Sequence, residues 1–442
     1  MTKSELLNSQ TQFNFEASLE FARSMDEQDE LKEFRQEFIL PSKLRGKNGE
    51  SCVYLAGNSL GLEPKRTREY INEELEDWAD LGVEGHFHAR HPWLPYHEFV
   101  TEMSARVVGA LPSEVVVMNT LTANLHLMMV SFYRPEGKRV KIAIEKGAFP
   151  SDQYAVASQL NFHGFSVEKH LLEFTPRPGE DTLRTEDMLK LIEDNKDELA
   201  LIVLGNVNYL TGQAFDVETL VQAAHKAGVV FGLNLAHGAG NLLLKLHDWQ
   251  VDFAVWCSYK YLNAGPGGLA GCFVHERHGQ SFDLPRFAGW WGHNKANRFK
   301  MPDRFEPLPG AEGWQLSNPP IFQLAALRAS LEIFDRAGMA RIRAKGDKLT
   351  GYMEFLLQEI AAQAAPGYLS IITPAGVANR GSQLSLRFQG GKGILDKFKD
   401  EGVVCDFREP DVIRATPAPL YCSFEDVFRF AEVVRRFAAE GK

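Results

Sequence analysis

Residues 199–233 read LALIVLGNVNYLTGQAFDVETLVQAAHKAGVVFGL, and this stretch decides the fold class. It opens on six consecutive apolar residues, passes through a polar turn with a glycine, and then sets Val217, Leu220, Val221 and Ala224 at helical spacing. A second β-branched apolar run closes it at 229–233. A strand that is apolar on both faces needs cover on both faces, which is the habit of parallel sheets, and a helix between two such strands is the crossover joining them. The alternation continues outward, with 140–144 and the helical window 151–160 upstream and the runs 253–256 and 271–275 downstream. The pattern predicts an α/β fold whose large domain is a mostly parallel sheet covered by helices.

The flanks differ. Residues 11–40 place Phe15, Leu19, Ala22, Leu31, Phe34 and Phe38 at helical spacing, which predicts an N-terminal helical arm over 1–52. Prolines punctuate 301–309 and 317–320, after which a proline-free helical window runs from 321 to 362. Strands are expected at 369–372, 383–388, 402–405 and 413–416, with helices at 394–401 and 425–440. The expected organisation is the arm, a large domain over 53–320, and a linking long helix with a smaller C-terminal α+β domain over 321–442.

Composition excludes several classes of function. The 442 residues are 44% hydrophobic, so the chain is not of a disorder-prone kind, and 48 basic against 58 acidic residues give a net charge of −10. Such a balance, without a lysine and arginine run, argues against nucleic acid and anionic membranes as partners. No apolar run is long enough to span a bilayer, and residues 1–20 lack the apolar core of a secretory signal. The five cysteines (Cys52, Cys257, Cys272, Cys405, Cys422) are scattered and odd in number, which fits neither a disulfide framework nor a zinc ribbon. A cytoplasmic enzyme without a metal is expected.

Chemistry concentrates at strand ends. Trp256-Cys257-Ser258-Tyr259-Lys260-Tyr261-Leu262-Asn263 places a lysine after an apolar run and before Gly265, Gly267 and Gly268. Ligands of α/β sheets bind at strand ends, and a sheltered lysine there can attack an aldehyde to form a Schiff base. A lone lysine in a turn is otherwise a surface residue. One βα unit upstream, Asn234-Leu235-Ala236-His237 closes another strand. A lysine, a ring-nitrogen partner and a phosphate cradle together suggest pyridoxal phosphate. For the cradle, Asn119-Thr120-Leu121-Thr122-Ala123-Asn124 precedes an apolar helical window, where Thr122 is either a phosphate ligand or a simple helix cap. Phe149-Pro150-Ser151-Asp152 offers a flat aromatic followed by a helix start.

With Gly289-Trp290-Trp291-Gly292-His293, Ser317-Asn318-Pro319-Pro320, Tyr54-Leu55-Ala56-Gly57-Asn58-Ser59-Leu60-Gly61 and Arg414-Ala415-Thr416-Pro417 in order along the chain, the sequence resembles the kynureninase family. These are fold-type I pyridoxal-phosphate enzymes of the aminotransferase class V-like superfamily. The resemblance implies a seven-stranded type of sheet and hydrolytic cleavage of L-kynurenine, 3-hydroxykynurenine or both. The products are anthranilate or 3-hydroxyanthranilate, and L-alanine, in tryptophan catabolism and NAD biosynthesis. It implies Lys260 as the residue that holds the cofactor aldehyde and moves protons at the α-carbon, with Tyr259 on the phosphate. Leu121 and Thr122 would meet the phosphate, Phe149, Pro150 and Ser151 would flank the ring, and Asp152 and His237 would lie toward its nitrogen. Trp290 and Asn318 would reach the cofactor of a neighbouring subunit, which implies a homodimer with shared sites lying between domains. Arg414 would pair with the substrate α-carboxylate, and Ser59, His86 and Asn318 would line its aryl end. Outside the family context, the histidines, tryptophans and Arg414 read as packing or ion-pair residues.

Two positions depart from the family pattern. Asn234 stands where an Asp faces the ring nitrogen, and Gly205, in Leu204-Gly205-Asn206-Val207, stands where a serine is familiar. At about 3 Å and an effective dielectric near 20, losing the carboxylate removes on the order of 5 kcal/mol of attraction. Asp152 would restore a part of it. A catalytically impaired or non-catalytic cofactor-binding relative is therefore one alternative, and a cysteine desulfurase-like lyase, which needs a mobile nucleophilic cysteine, is another.

Overall fold

The computed structural model describes residues 13–47 and 49–440, so the first twelve residues of the expected arm lie outside it. Two compact units divide the chain. The larger comprises residues 66–206 and 215–336, and the smaller comprises 1–65, 207–214 and 337–442.

Seven strands build the sheet of the large unit: β1 (Val115–Val117), β2 (Lys141–Glu145), β3 (Leu171–Phe174), β4 (Leu199–Gly205), β5 (Val230–Asn234), β6 (Phe253–Cys257) and β7 (Ala270–Val274). Their spatial order is β1-β7-β6-β5-β4-β2-β3. All neighbours from β6 through β3 run parallel, and only β7 is antiparallel to its neighbours β6 and β1. This is the mostly parallel sheet that the run at 199–204 predicts. Every residue of β4 from Leu199 to Leu204 is buried, which explains why none of the six is polar.

Helices α1 (Leu121–Phe132), α2 (Pro150–Phe162), α3 (Thr185–Asp194), α4 (Val217–Lys226) and α5 (Ile321–Ala337) belong to the same part of the chain. Leu125, Met128, Met129 and Phe132 of α1 join Val156 and Leu160 of α2 in one core with Ile142, Ile144, Phe253, Val255 and Trp314. Each such side chain contributes about 1.5–3 kcal/mol on full burial. Pro150 opens α2 at its first helical position, where no N–H is needed, and the Asp216 carboxylate caps α4 by accepting from the Thr219 N–H. Gly232 of β5 lies beneath the Phe253 ring, which a Cβ would approach to 2.1 Å, so only glycine lets β5 reach its end beside β6.

The small unit has a four-stranded antiparallel sheet. Strands β8 (Leu369–Ile371), β9 (Leu384–Phe388), β10 (Asp406–Arg408) and β11 (Val412–Ala415) stand in the order β8-β9-β11-β10. Helices α6 (Met339–Gln363), α7 (Gly393–Asp400) and α8 (Phe424–Glu440) complete it.

Three expectations are corrected. The helix expected over 321–362 is two, because Gly338 takes φ 75°, a left-handed conformation that ends α5 and admits α6. Among the described residues the arm is α-helical at Leu19–Glu27, capped by Ser18, before a 3-10 turn at Lys32–Glu37. The run at 402–405 yields the two-residue strand Val403–Val404, paired in parallel with Val53–Tyr54, and the separate strand β10. The short strands β1 and β3 were not foreseen, since three or four residues carry too little periodicity to register.

Candidate active site

Parallel pairing brings the carboxyl ends of β4, β5 and β6 together, with Gly205 directly opposite Asn234. Beyond β6 the chain turns tightly. Asn263 N–H donates to Lys260 O and Ala264 N–H to Ser258 O, both at 3.0 Å, while Asn263 takes φ 53°. Ser258 Oγ ties the turn to the Leu269 carbonyl. These bonds hold Lys260 at the sheet end, where its Nζ lies 3.1 Å from His237 Nε2 and 5.8 Å from the centroid of the Phe149 ring. His237 is buried, and its carbonyl accepts from Asn241 Nδ2 at 2.8 Å. The histidine therefore stands at the lysine amine.

Asp152 and Asn234 form a buried pair. Asn234 Nδ2 donates to Asp152 Oδ2 at 2.7 Å, and Asn234 Oδ1 accepts from the Ala236 N–H at 2.9 Å. The other Asp152 oxygen, Oδ1, is buried with no hydrogen-bond partner among the described residues. Burial raises the Asp152 carboxyl to about 6, against the opposing pull of the Asn234 bond and the Lys260 charge.

Two helix starts meet nearby. Thr122 Oγ1, in the first turn of α1, lies 2.7 Å from Ser151 Oγ, in the first turn of α2. The N-cap of α1 is Thr120, so Thr122 is not the helix cap that its place in the sequence also allowed. Helix N-termini with hydroxyls are ready-made anion sites. Leu121 and Pro150 occupy the same turns, and the Phe149 residue is 44% exposed. Burial raises the Tyr259 phenol to about 12, and its hydroxyl bonds the Cys257 thiol.

Lys260, His237, Phe149, Asp152 and Asn234 thus gather around one place, with Tyr259, Gly205, Thr122 and Ser151 on the elements that frame it. Three further expected residues are seen in local settings of their own. His86 Nδ1 lies 3.0 Å from Val83 O and its ring meets Trp93 edge-on. The Trp290 indole donates to Arg298 O at 3.3 Å, and Asn318 is exposed.

The remaining expected residues lie in the small unit. Antiparallel register sets Arg414 of β11 opposite Asp406 of β10. Arg414 Nε donates to Asp406 Oδ1 at 2.6 Å, Nη1 to Tyr209 O at 2.8 Å, and Nη2 to Ser59 Oγ at 3.0 Å and to Asp406 Oδ2. Arg408 Nη2 donates to Asp406 Oδ2 at 3.3 Å. Burial works to raise the Asp406 carboxyl, but the bonds and charge of Arg414 prevail and hold it below its ordinary value. Asp406 and Arg408 were missed in the sequence. The alternation in Asp406-Phe407-Arg408 puts both on one face of a strand, yet only strand register reveals that this face meets Arg414.

All five cysteines are free and buried, and burial pushes the Cys405 and Cys422 thiols up, away from nucleophilic thiolate. Neither suits the mobile nucleophile of a desulfurase. Among the described residues no helix is long and apolar enough to cross a membrane.

The chain can now be set beside known proteins. The aminotransferase class-V profile matches residues 53–368, and the kynureninase C-terminal domain profile matches residues 342–434. A kynureninase of Myxococcus xanthus (strain DK1622) is 62% identical, covering 97% of this chain and 100% of its own length. One of Koribacter versatilis (strain Ellin345) is 55% identical over 96% of this chain and 98% of its own length. One of Nematostella vectensis is 48% identical over 94% and 93%. Among solved structures, the apo cysteine desulfurase of Thermococcus onnurineus NA1 superposes with a TM-score of 0.75, covering 92% of this chain and 98% of its own, at 18% identity, a likeness of fold alone. With a fold-type I sheet, a lysine beyond β6 and relatives of this identity along nearly its whole length, the chain belongs to the kynureninase family.

Proposed function

We infer that this chain cleaves L-kynurenine, 3-hydroxykynurenine or both with water, giving anthranilate or its 3-hydroxy form and L-alanine. The cofactor is pyridoxal 5'-phosphate. The observation that carries the reading is the place of Lys260: an amine at the sheet end, against His237 and over the Phe149 ring. The residues fit the group on two further counts, the unpartnered buried Asp152 Oδ1 and the hydroxyl pair at two helix starts.

Bound there, the cofactor supplies an aldehyde open to exchange between amines and a ring that accepts the electron pair left at the α-carbon. Lys260 would hold the group through its amine, and its Nζ would take the proton from the substrate α-carbon and return it later. His237 Nε2 orients that amine and shares its proton. Phe149 covers one face of the ring, and Thr122, Ser151 and Tyr259 hold the phosphate together with the first-turn N–H groups of α1. Leu121, Pro150 and Gly205 shape the wall. Arg414 receives the α-carboxylate, a planar task suited to a guanidinium. Ser59, His86 and Asn318 line the aryl end. Overall, the hydroxyl of water joins the acyl carbon of anthranilate and a proton completes the methyl group of alanine.

Trp290 and Asn318 act on the cofactor of a second copy, and the enzyme works as a cytoplasmic homodimer in tryptophan catabolism and NAD biosynthesis. Exposed Trp78, Val83, Phe87, Phe99 and Phe322 supply apolar surface for such an interface. Incubation with cofactor and L-kynurenine is expected to release fluorescent anthranilate and alanine in equal amounts, and borohydride is expected to fix the cofactor on Lys260. Cofactor fixed on Lys260 without anthranilate would leave a binding protein and refute the activity.

A further inference from the structure

The amide of Asn234 has a fixed orientation. Its nitrogen donates to Asp152 Oδ2 and its oxygen accepts from the Ala236 N–H. Turning it over would set two N–H groups against each other at one end and two oxygens at the other. Its oxygen is therefore committed, and it carries no charge to offer a cationic ring nitrogen. Asp152 is in the opposite condition. One oxygen is held by the amide, and the other is buried and unpaired. Buried acceptors in folded proteins are almost always satisfied, and one left open at a ligand site is completed by the ligand. The Lys260 charge acts on this carboxylate, but its Nζ is engaged by His237.

We propose that in this chain the carboxylate of Asp152, not residue 234, is the anionic partner of the cofactor's ring nitrogen, with Asn234 a positioning residue that grips Oδ2 and leaves Oδ1 open. The inference rests on the cofactor reading above and goes beyond it. The charge has moved from the end of β5 to the first turn of α2, and the amide at the vacated position has become a hydrogen-bond donor to the new partner. The helix start itself favours an anion at that place, since the partial positive charge of the first turn faces it. The cost is a site with one carboxylate where the family pattern supplies an Asp at 234. The compensation is that a neutral donor does not repel its neighbour as a second carboxylate at hydrogen-bond distance would.

The test uses holoenzyme reconstituted with pyridoxal phosphate labelled with ¹⁵N in the ring. The nitrogen chemical shift reports its protonation, and titration of apo protein followed by absorbance gives the affinity. The wild-type ring is expected to be protonated. Asn234→Asp leaves it protonated. Asp152→Asn gives an unprotonated ring and weakens cofactor binding roughly tenfold to a hundredfold, the loss of one charge-assisted bond. The exchange variant Asp152→Asn with Asn234→Asp returns the carboxylate to β5 and regains a protonated ring, with affinity within about tenfold of wild type. A merely structural pair would move stability without moving the nitrogen signal. A ring still protonated in Asp152→Asn overturns the proposal. Should Asp152→Asn fail to fold, the other two proteins decide, because a wild-type ring that is unprotonated and becomes protonated in Asn234→Asp overturns it as well. Failure of every protein to take up cofactor refutes the cofactor reading itself, a result distinct from either.

Discussion

At the sheet end of the large unit, Asp152 keeps a buried oxygen without a partner and its carboxyl sits well above the ordinary range. In the small unit, Arg414, 1% exposed, spends its guanidinium on Asp406, Ser59 and a carbonyl, and Asp406 sits below the ordinary range. The first region keeps an open acceptor, whereas in the second Asp406 already holds the Arg414 fork. On the function proposed above, cofactor binding would add interactions at the first, whereas a substrate carboxylate at Arg414 would exchange one partner for another, so its net gain would be a difference between two similar terms.

The largest effect that would break this contrast is expected at Lys260. Lys260→Ala removes both the tether and the proton carrier, and turnover should fall by about 10⁴-fold or more, read as anthranilate fluorescence. Retained turnover would remove the large-unit cluster from the chemistry. Next is Asp406→Asn, which strands a buried guanidinium and should cost the protein about 3 kcal/mol in urea unfolding at pH 7. A cost near zero would mean the small-unit pair is not the closed system described.

Acid sharpens the comparison. A carboxyl whose folded value is raised binds its proton more tightly in the folded state, so stability improves as pH falls through about 6 toward its ordinary value. Cofactor-free Asp152→Asn should therefore be more stable than wild type at pH 7 by at most about 3 kcal/mol, an advantage gone by about pH 4. The Asp406 contribution has the opposite sign. It is fully present above the ordinary carboxylate value and is lost only as pH drops through the lower folded value. Denaturation of both variants across that range checks the pair of signs. The smallest effect is Thr122→Ala, which removes one hydroxyl from a helix-start anion site and should weaken cofactor binding about fivefold, or about 1 kcal/mol, by absorbance titration.

Much of this was legible along the chain because local pattern and local chemistry coincide there. Lys260 followed an apolar run and preceded glycines, so its position beyond a strand could be read directly. Phe149-Pro150 marked a helix start by the chemistry of proline alone. Asp406 was invisible for the opposite reason. It is eight residues from Arg414 in sequence, and nothing local says that the two strands pair in the register that sets them face to face. The division at Gly338 was similarly hidden, since a glycine in a helical window is tolerated as often as it breaks one.

The sequence by itself determined the α/β class, the lysine at the end of β6 and the neutral amide at 234, because hydrophobic periodicity and residue chemistry are properties of the chain. Tertiary structure alone decided that Asn234 donates to Asp152, that His237 attends Lys260, and that Asp406 occupies the Arg414 fork. Each of these joins residues on different elements, from 8 to 82 positions apart in the sequence, and whether a polar group is satisfied, left open or already claimed depends on packing, not on neighbours along the chain.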